Sequence, residues 1–172
     1  MNNFLSMMIL LKTVSVTVPF VPSPVEVIKK AFEIAELKPG ELVLDPGCGD
    51  GRSLVIATKE FGARGVGIEI RKDLLETAMR NIIAAGVQDR VLLIHGSFYD
   101  VKFPQADVVF LYLLTSVNER LRPKLERELK PNTRIVSHDF EVTGWKPVES
   151  TTVEEGGRTH KIYYYIVGES RR

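Results

Sequence analysis

The spacing of apolar positions changes period several times along the chain, and each change marks an element. Between residues 24 and 37, Ile28, Ala31, Phe32 and Ala35 fall on one helical face. Ser23 suits the N-cap, Pro24 the first helical position, and Glu26 completes a capping box. Lys38, Pro39 and Gly40 stop that helix. A short apolar strand over 41–44 follows, then a glycine-rich stretch, then a helix running to Lys59. "RGVGIEI", 64–70, reads as a second strand. The next helix starts near Asp73 with Glu76 in capping-box position, shows Leu74, Leu75, Ala78, Met79 and Ile82 on one side, and stops at Gly86. "RVLLIHGSF" is a third strand and "ADVVFLYLL" a fourth. Residues 118–129 read as a helix ended by Pro131. "TRIVSHDF" is a fifth strand, and "HKIYYYIVG" a last one after the turn-rich "EEGGR".

Alternating strands and helices predict an α/β fold, and the strands up to residue 114 are nearly continuous apolar runs, as in a parallel sheet covered on both faces. The last strands lie too close in sequence for a helical crossover, so they pair antiparallel. The expectation is a Rossmann-like, doubly wound, seven-stranded sheet, mostly parallel with an antiparallel C-terminal strand, binding its ligand at the carboxyl ends of the central strands. Residues 18–172 form a single domain on this reading, with 1–17 as an N-terminal extension or arm. "MNNFLSMMILL" is far short of the ~20 residues of a membrane span and lacks the basic start of a signal peptide. It reads as an edge strand, a packed arm, or a leader upstream of a start at Met7 or Met8.

Composition narrows the classes only a little. Hydrophobic residues make up 44% and charged ones 26%, ordinary for a globular domain. The net charge of +1 lacks the basic excess of nucleic-acid binders. Cys48 is the one cysteine, which excludes a disulfide framework and a cysteine-based metal site. That fits a reducing compartment, with the cytoplasm as the expected location.

The chemistry concentrates in "LVLDPGCGDGR", 42–52. A glycine turn before a helix offers free backbone N–H groups and the positive end of the helix dipole to an anion. A dinucleotide site wants G-x-G-x-x-G, whereas Gly47, Gly49 and Gly51 give G-x-G-x-G. Asp45, at the end of the strand, would repel a pyrophosphate. It suits a ligand with a positive amino group, and S-adenosylmethionine carries that group, a carboxylate and a cationic sulfonium. Glu69 ends the second strand about 20 residues later, where an acid takes ribose hydroxyls. Ser97 and Phe98 end the third strand, in position to flank the adenine. The plainer alternatives are a tight turn and a solvated strand end.

"LDPGCGDGR" and the acid closing "GVGIEI" resemble motif I and its successor in class I, seven-stranded methyltransferases. "VPFVPSP", "LYLLTSVNERLRPKLERELKPNTRIVSHDF" and "GWKP" resemble the crenarchaeal non-SET protein lysine methyltransferases, relatives of the eukaryotic mitochondrial lysine methyltransferases. The resemblance runs from about Val18 to Glu169. It implies S-adenosylmethionine as cofactor, S-adenosylhomocysteine as product and no metal. It implies protein substrates with exposed lysines over a broad range, chromatin proteins among the candidates, and a monomer.

Carried over by position, the cofactor lies against Asp45, Gly47, Cys48, Gly49, Glu69 and Ile70, with Ser97 and Phe98 near the adenine. Phe20, Val21 and Pro22 belong to an arm closing over it. Leu111 to Thr115 stand where amino-methylating nucleic-acid enzymes carry an Asn/Asp-Pro-Pro-aromatic motif. "YLLT" there counts against base methylation.

Tyr112, Thr115 and His138 are the candidates for the acceptor channel. Leu113 and Leu114 read as core, Trp145 as packing, and His138 equally as a satisfied structural histidine. Cys48 reads most simply as a small turn residue. A lysine amine must be neutral to attack, which at pH 7 costs about 4 to 5 kcal/mol from a pKa near 10.4. A low-dielectric channel ending in a cation lowers that cost, so no dedicated base is required. With no lid or substrate domain in a chain this short, the site should be shallow and open. The competing functions are a methyltransferase of RNA or small molecules and a non-catalytic adenosylmethionine-binding subunit.

Overall fold

The computed structural model describes residues 19–171; the expectations for residues 1–17 lie outside them. Helix α1 (Val25–Ile34) leads to β1 (Leu42–Pro46), α2 (Arg52–Phe61), β2 (Arg64–Glu69), α3 (Lys72–Ala84) and β3 (Val91–His95). Then come β4 (Val108–Leu111), α4 (Thr115–Glu128), β5 (Arg134–His138), β6 (Glu149–Glu155) and β7 (Arg158–Ile166). The strands form one sheet of seven in the order β3-β2-β1-β4-β5-β7-β6. The first five in that order run parallel. β7 runs antiparallel to β5, and β6 pairs back on β7.

Successive residues of a strand face opposite sides, and the core divides accordingly. Val43, Val108, Phe110, Val136 and Ile162 pack with Ile28 and Phe32 of α1 and Leu54 of α2. Leu44, Val109, Leu111, Ile135 and Tyr165 pack on the other side with Leu121 and Leu125 of α4. This two-sided burial is why β4 is an unbroken apolar run and β1 is apolar up to Asp45. β6 shows the opposite case: its "ESTTVEE" has no fully buried residue, so hydropathy alone did not locate it.

Two capping expectations are corrected. α1 begins at Val25 with no side-chain cap bond. Ser23 is buried and its hydroxyl turns to His138 instead, forgoing a cap ordinarily worth about 1 kcal/mol. α3 begins one residue before Asp73, again with no side-chain cap, and Asp73 pairs with Arg71 at 2.7 Å. α4 opens at Thr115 rather than 118, because β4 stops at Leu111 and the Leu114 carbonyl takes the N–H groups of Val117 and Asn118, both at 2.9 Å.

From β1 the chain winds outward through β2 to β3, then returns to the other side of β1 as β4. That reversal opens a crevice between the carboxyl ends of β1 and β4. Asp45 sits in β1 near its end, and Tyr112 follows β4 directly.

Candidate active site

A cavity of about 970 Å³ lies over this crevice. Asp45 forms its floor at 5% exposure, and Ser53, in the first turn of α2, donates its hydroxyl to the Asp45 carboxylate. Glu69 closes β2. One of its oxygens accepts the Gly49 N–H at 2.9 Å and the other the Arg71 N–H at 2.9 Å. Glu69 therefore binds the glycine turn to the β2–α3 turn while facing the cavity. Each oxygen keeps a further lone pair for a ligand.

The floor is acidic. Burial, more than any neighbour, raises the Asp45 pKa to about 7; the Ser53 hydroxyl pulls it down, and Glu69 and Asp50 push it up further. Asp50 is paired with Arg52 at 2.8 Å. Burial, with the Asp45 charge beside it, pushes the Cys48 thiol well above its ordinary range, so Cys48 is a neutral small residue rather than a nucleophile. An acid whose ionised form is disfavoured by its own burial is a site short of a positive charge. A ligand bearing an ammonium and a sulfonium supplies that charge, so the residues present fit S-adenosylmethionine.

The walls explain why the turn is made of glycines. Gly47, Gly49 and Gly51 all have positive φ. At Gly49 (φ +55) a Cβ would collide with Phe20 Cε2, because the Phe20 ring lies directly on the turn. The arm from Pro19 to Ser23 thus forms one side of the cavity. Gly49→Ala should leave the protein folded yet lift Phe20 away. The left-handed backbone costs roughly 1–2 kcal/mol of stability, and the displaced Phe20 wall should weaken ligand binding on the order of tenfold. Unchanged affinity by calorimetry would show that the Phe20 contact is incidental.

The opposite side is apolar: Phe110, Tyr112, Leu113, Leu114 and Phe140. The Tyr112 ring stacks on His138 with centroids 4.0 Å apart and on Phe140 at 6.0 Å. Phe140 is held from below. Ser137 Oγ donates to its carbonyl at 2.6 Å, and the buried Asn118 Nδ2 donates to the carbonyls of Phe140 and Glu141 at 3.3 and 3.2 Å.

Most of the sequence-predicted residues converge here. Phe20, Val21, Pro22, Asp45, Gly47, Cys48, Glu69, Ile70, Phe98 and Tyr112 all line the cavity. Gly49 acts through Phe20 and Glu69. The structure does not bring four others to the lining. Ser97 sits in the turn after β3, accepting the Tyr99 N–H on its hydroxyl at 3.2 Å and two more N–H groups on its carbonyl. Leu111 is wholly buried in the sheet core. Thr115 is exposed at the start of α4.

His138 is wholly buried, with Ser23 Oγ on Nδ1 and His160 on Nε2, each at 2.8 Å. Burial takes its pKa down to about 4, against the pull of Asp139. It is no free base. His138 Nε2, His160 Nδ1 and an Asp139 oxygen lie within 4.8 Å of one another, but the Asp139 oxygen is held by Arg158 at 2.6 Å and the two imidazoles are bonded to each other. Sequence reasoning missed Ser53, Asp50, Phe140 and His160. The signal for Ser53 was available: it stands in the first turn of the helix that the glycines open.

The family described as the ANTKMT methyltransferase domain matches residues 45–149. A protein-lysine N-methyltransferase of Saccharolobus islandicus is 45% identical over 155 residues, spanning 90% of this chain and 96% of that protein. The adenine nucleotide translocase lysine N-methyltransferase of Mus musculus is 30% identical over 87% of this chain, which spans 63% of that longer protein. A crystal structure described as an RNA methyltransferase from Salinibacter ruber with S-adenosyl-L-homocysteine superposes with a TM-score of 0.81 at 40% identity, covering 88% of this chain and 97% of that one.

Proposed function

This chain belongs to the ANTKMT methyltransferase family, and from that premise we propose that it methylates the ε-amino groups of lysines in proteins, using S-adenosylmethionine. The observation that carries the reading is the buried Asp45 carboxylate, with Glu69 beside it, on the floor of the β1–β4 crevice opposite a wall of Tyr112, Leu114 and Phe140. The cofactor, when bound, supplies an electrophilic methyl group on a sulfonium. Asp45 and Glu69 would hold its amino and ribose groups, and Phe20 and Phe98 would enclose the remainder.

The apolar wall does the rest. A lysine side chain has a long aliphatic stem that such a wall accepts, and a low-dielectric channel favours the neutral amine. Tyr112 is not a base at neutral pH: burial, and then Asp139, raise its phenol above the ordinary range. With His138 bonded at both ring nitrogens, the acceptor proton leaves to solvent. Turnover at saturating cofactor should therefore climb through pH 8 to 10 without a plateau near neutrality. An acidic optimum would count against lysine as the acceptor.

The cavity opens toward solvent beside exposed Val21, Ile70 and Leu114, which suits side chains on many folded surfaces. We therefore extend the reading to a broad range of proteins, chromatin proteins included, modified by a single-domain, cytoplasmic, metal-independent monomer. No helix among the described residues is long and apolar enough to cross a membrane.

RNA is the second reading, favoured by the description of the Salinibacter relative. The near-neutral charge and the apolar wall count against it. Incubation with methyl-labelled cofactor and either mixed protein extract or RNA separates the two: label in protein, at lysine, supports the proposal, and label in RNA alone overturns it.

A further inference from the structure

Three side chains from distant parts of the chain meet beneath the cavity. Ser23 Oγ, on the arm, lies 2.8 Å from His138 Nδ1. His138 Nε2 lies 2.8 Å from His160 Nδ1, and His160 Nε2 lies 3.2 Å from the Glu155 carbonyl. A carbonyl oxygen only accepts, so His160 Nε2 carries the hydrogen. A neutral imidazole carries one hydrogen. His160 Nδ1 is then an acceptor, His138 Nε2 donates to it, and His138 Nδ1 accepts from the Ser23 hydroxyl. The Asp139 carboxylate, 3.3 Å from His138 Nε2, favours a hydrogen on that nitrogen too, so the Glu155 carbonyl and Asp139 together orient the row from Ser23.

We propose that Ser23, His138 and His160 are positioning residues that latch the Pro19–Ser23 arm over the cofactor cleft and tie its closure to the acceptor wall. This rests on reading the cavity as a methyl-donor site. Three observations beyond the bonds support it. Ser23 stands one residue before the N-cap position, which Pro24 holds without a side-chain bond, and the buried Ser23 hydroxyl is turned to His138. Its carbonyl is held as well, accepting from Arg52 Nη1 at 3.3 Å, and Arg52 in turn grips Asp50 of the glycine turn. The His138 ring that receives the arm is also the one on which Tyr112 stacks. The latch thus joins the cover of the cofactor to the surface on which the acceptor lies. A cleft whose competent form needs the arm closed has its affinity scaled by the fraction of time the arm is closed.

The test is the affinity for S-adenosylmethionine by calorimetry, with thermal melts, for the full chain at pH 8.5. Ser23→Ala should weaken binding roughly tenfold, the size of one lost hydrogen bond, while the melting temperature moves by no more than ~3 °C. Ser23→Thr, which keeps the hydroxyl, should restore binding to within about threefold of wild type. His138→Phe keeps a ring beneath Tyr112 but offers Ser23 no acceptor. It should lose at least as much as Ser23→Ala, and the double variant no more than His138→Phe alone, because the same bond is removed once. Ser23→Ala with wild-type affinity overturns the latch, whether or not its melting temperature falls. Failure of the wild type to bind the cofactor, or unchanged binding by Asp45→Ala, would instead sink the donor-site reading beneath it.

Discussion

Asp45→Asn should bind S-adenosylmethionine about a hundredfold or more weakly and yet, at pH 8, unfold at a higher temperature than the wild type. The loss follows from removing the charge that faces the ligand's ammonium; deleting one member of a buried charge pair costs roughly 2–5 kcal/mol. The gain follows from burial. Asp45 has a folded pKa of about 7 against 3.8 for the free side chain. Below pH 3.8 the carboxyl is neutral in both states and the folded form keeps the full benefit. As pH rises toward 7 the unfolded chain ionises first, and stability falls by about 1.4 kcal/mol per pH unit, about 4 kcal/mol in all. Asparagine has no charge to bury and still accepts from Ser53. The stability difference should vanish near pH 4 and reach its full size above pH 7.

Cofactor affinity of the wild type should also tighten through pH 7, as the carboxyl ionises, and that of Asp45→Asn should stay flat. Melts and calorimetry from pH 4 to 9 check both. A variant that is less stable than wild type at pH 8 would show that Asp45 is not strained by its site. The expected trade is stability given up for function at one residue.

Deleting residues 1–22 should leave a folded protein that binds the cofactor at least tenfold more weakly and transfers methyl groups slowly or not at all. Ser23 and α1 remain, so the packing of Val27, Ile28, Ala31 and Phe32 is untouched. What disappears is the arm, "PFVP" in Pro19–Pro22, whose Phe20 ring lies on Gly49. Proline fixes φ and lowers the entropy lost when such a segment is ordered, so the arm can cover the cleft at modest cost. Phe20→Ala in the full chain should reproduce most of the loss, which assigns it to the arm rather than to the residues before it. If the shortened protein methylates proteins as fast as the full chain, the arm has no part in the site.

Much of the site was legible because it is local. Asp45 and the three glycines lie within seven residues, and each is demanded by a short-range rule: an acid where a strand ends, and positive φ in the turn that follows. Glu69 is legible for the same reason, as the last residue of the next strand. The "TSVNE" segment that carried the family resemblance contains Asn118, whose side chain ties α4 to the loop that presents Phe140.

The sequence by itself determined the alternation of strands and helices, the two-faced burial of β1 and β4, and the acid–glycine–acid frame, since periodicity and turn chemistry are properties of neighbouring residues. Only the tertiary structure decided what lies more than a turn apart. Ser23 reads as a helix cap until His138, 115 residues away, offers its ring. His138 reads as a possible base until His160 and Ser23 occupy both nitrogens. Thr115 and Leu111 flank Tyr112 in sequence, but the strand end sends one to solvent and the other into the core. The raised pKa of Asp45 is likewise invisible in "LDPG", because it comes from the depth at which the sheet buries it and from the two acids that the fold sets beside it.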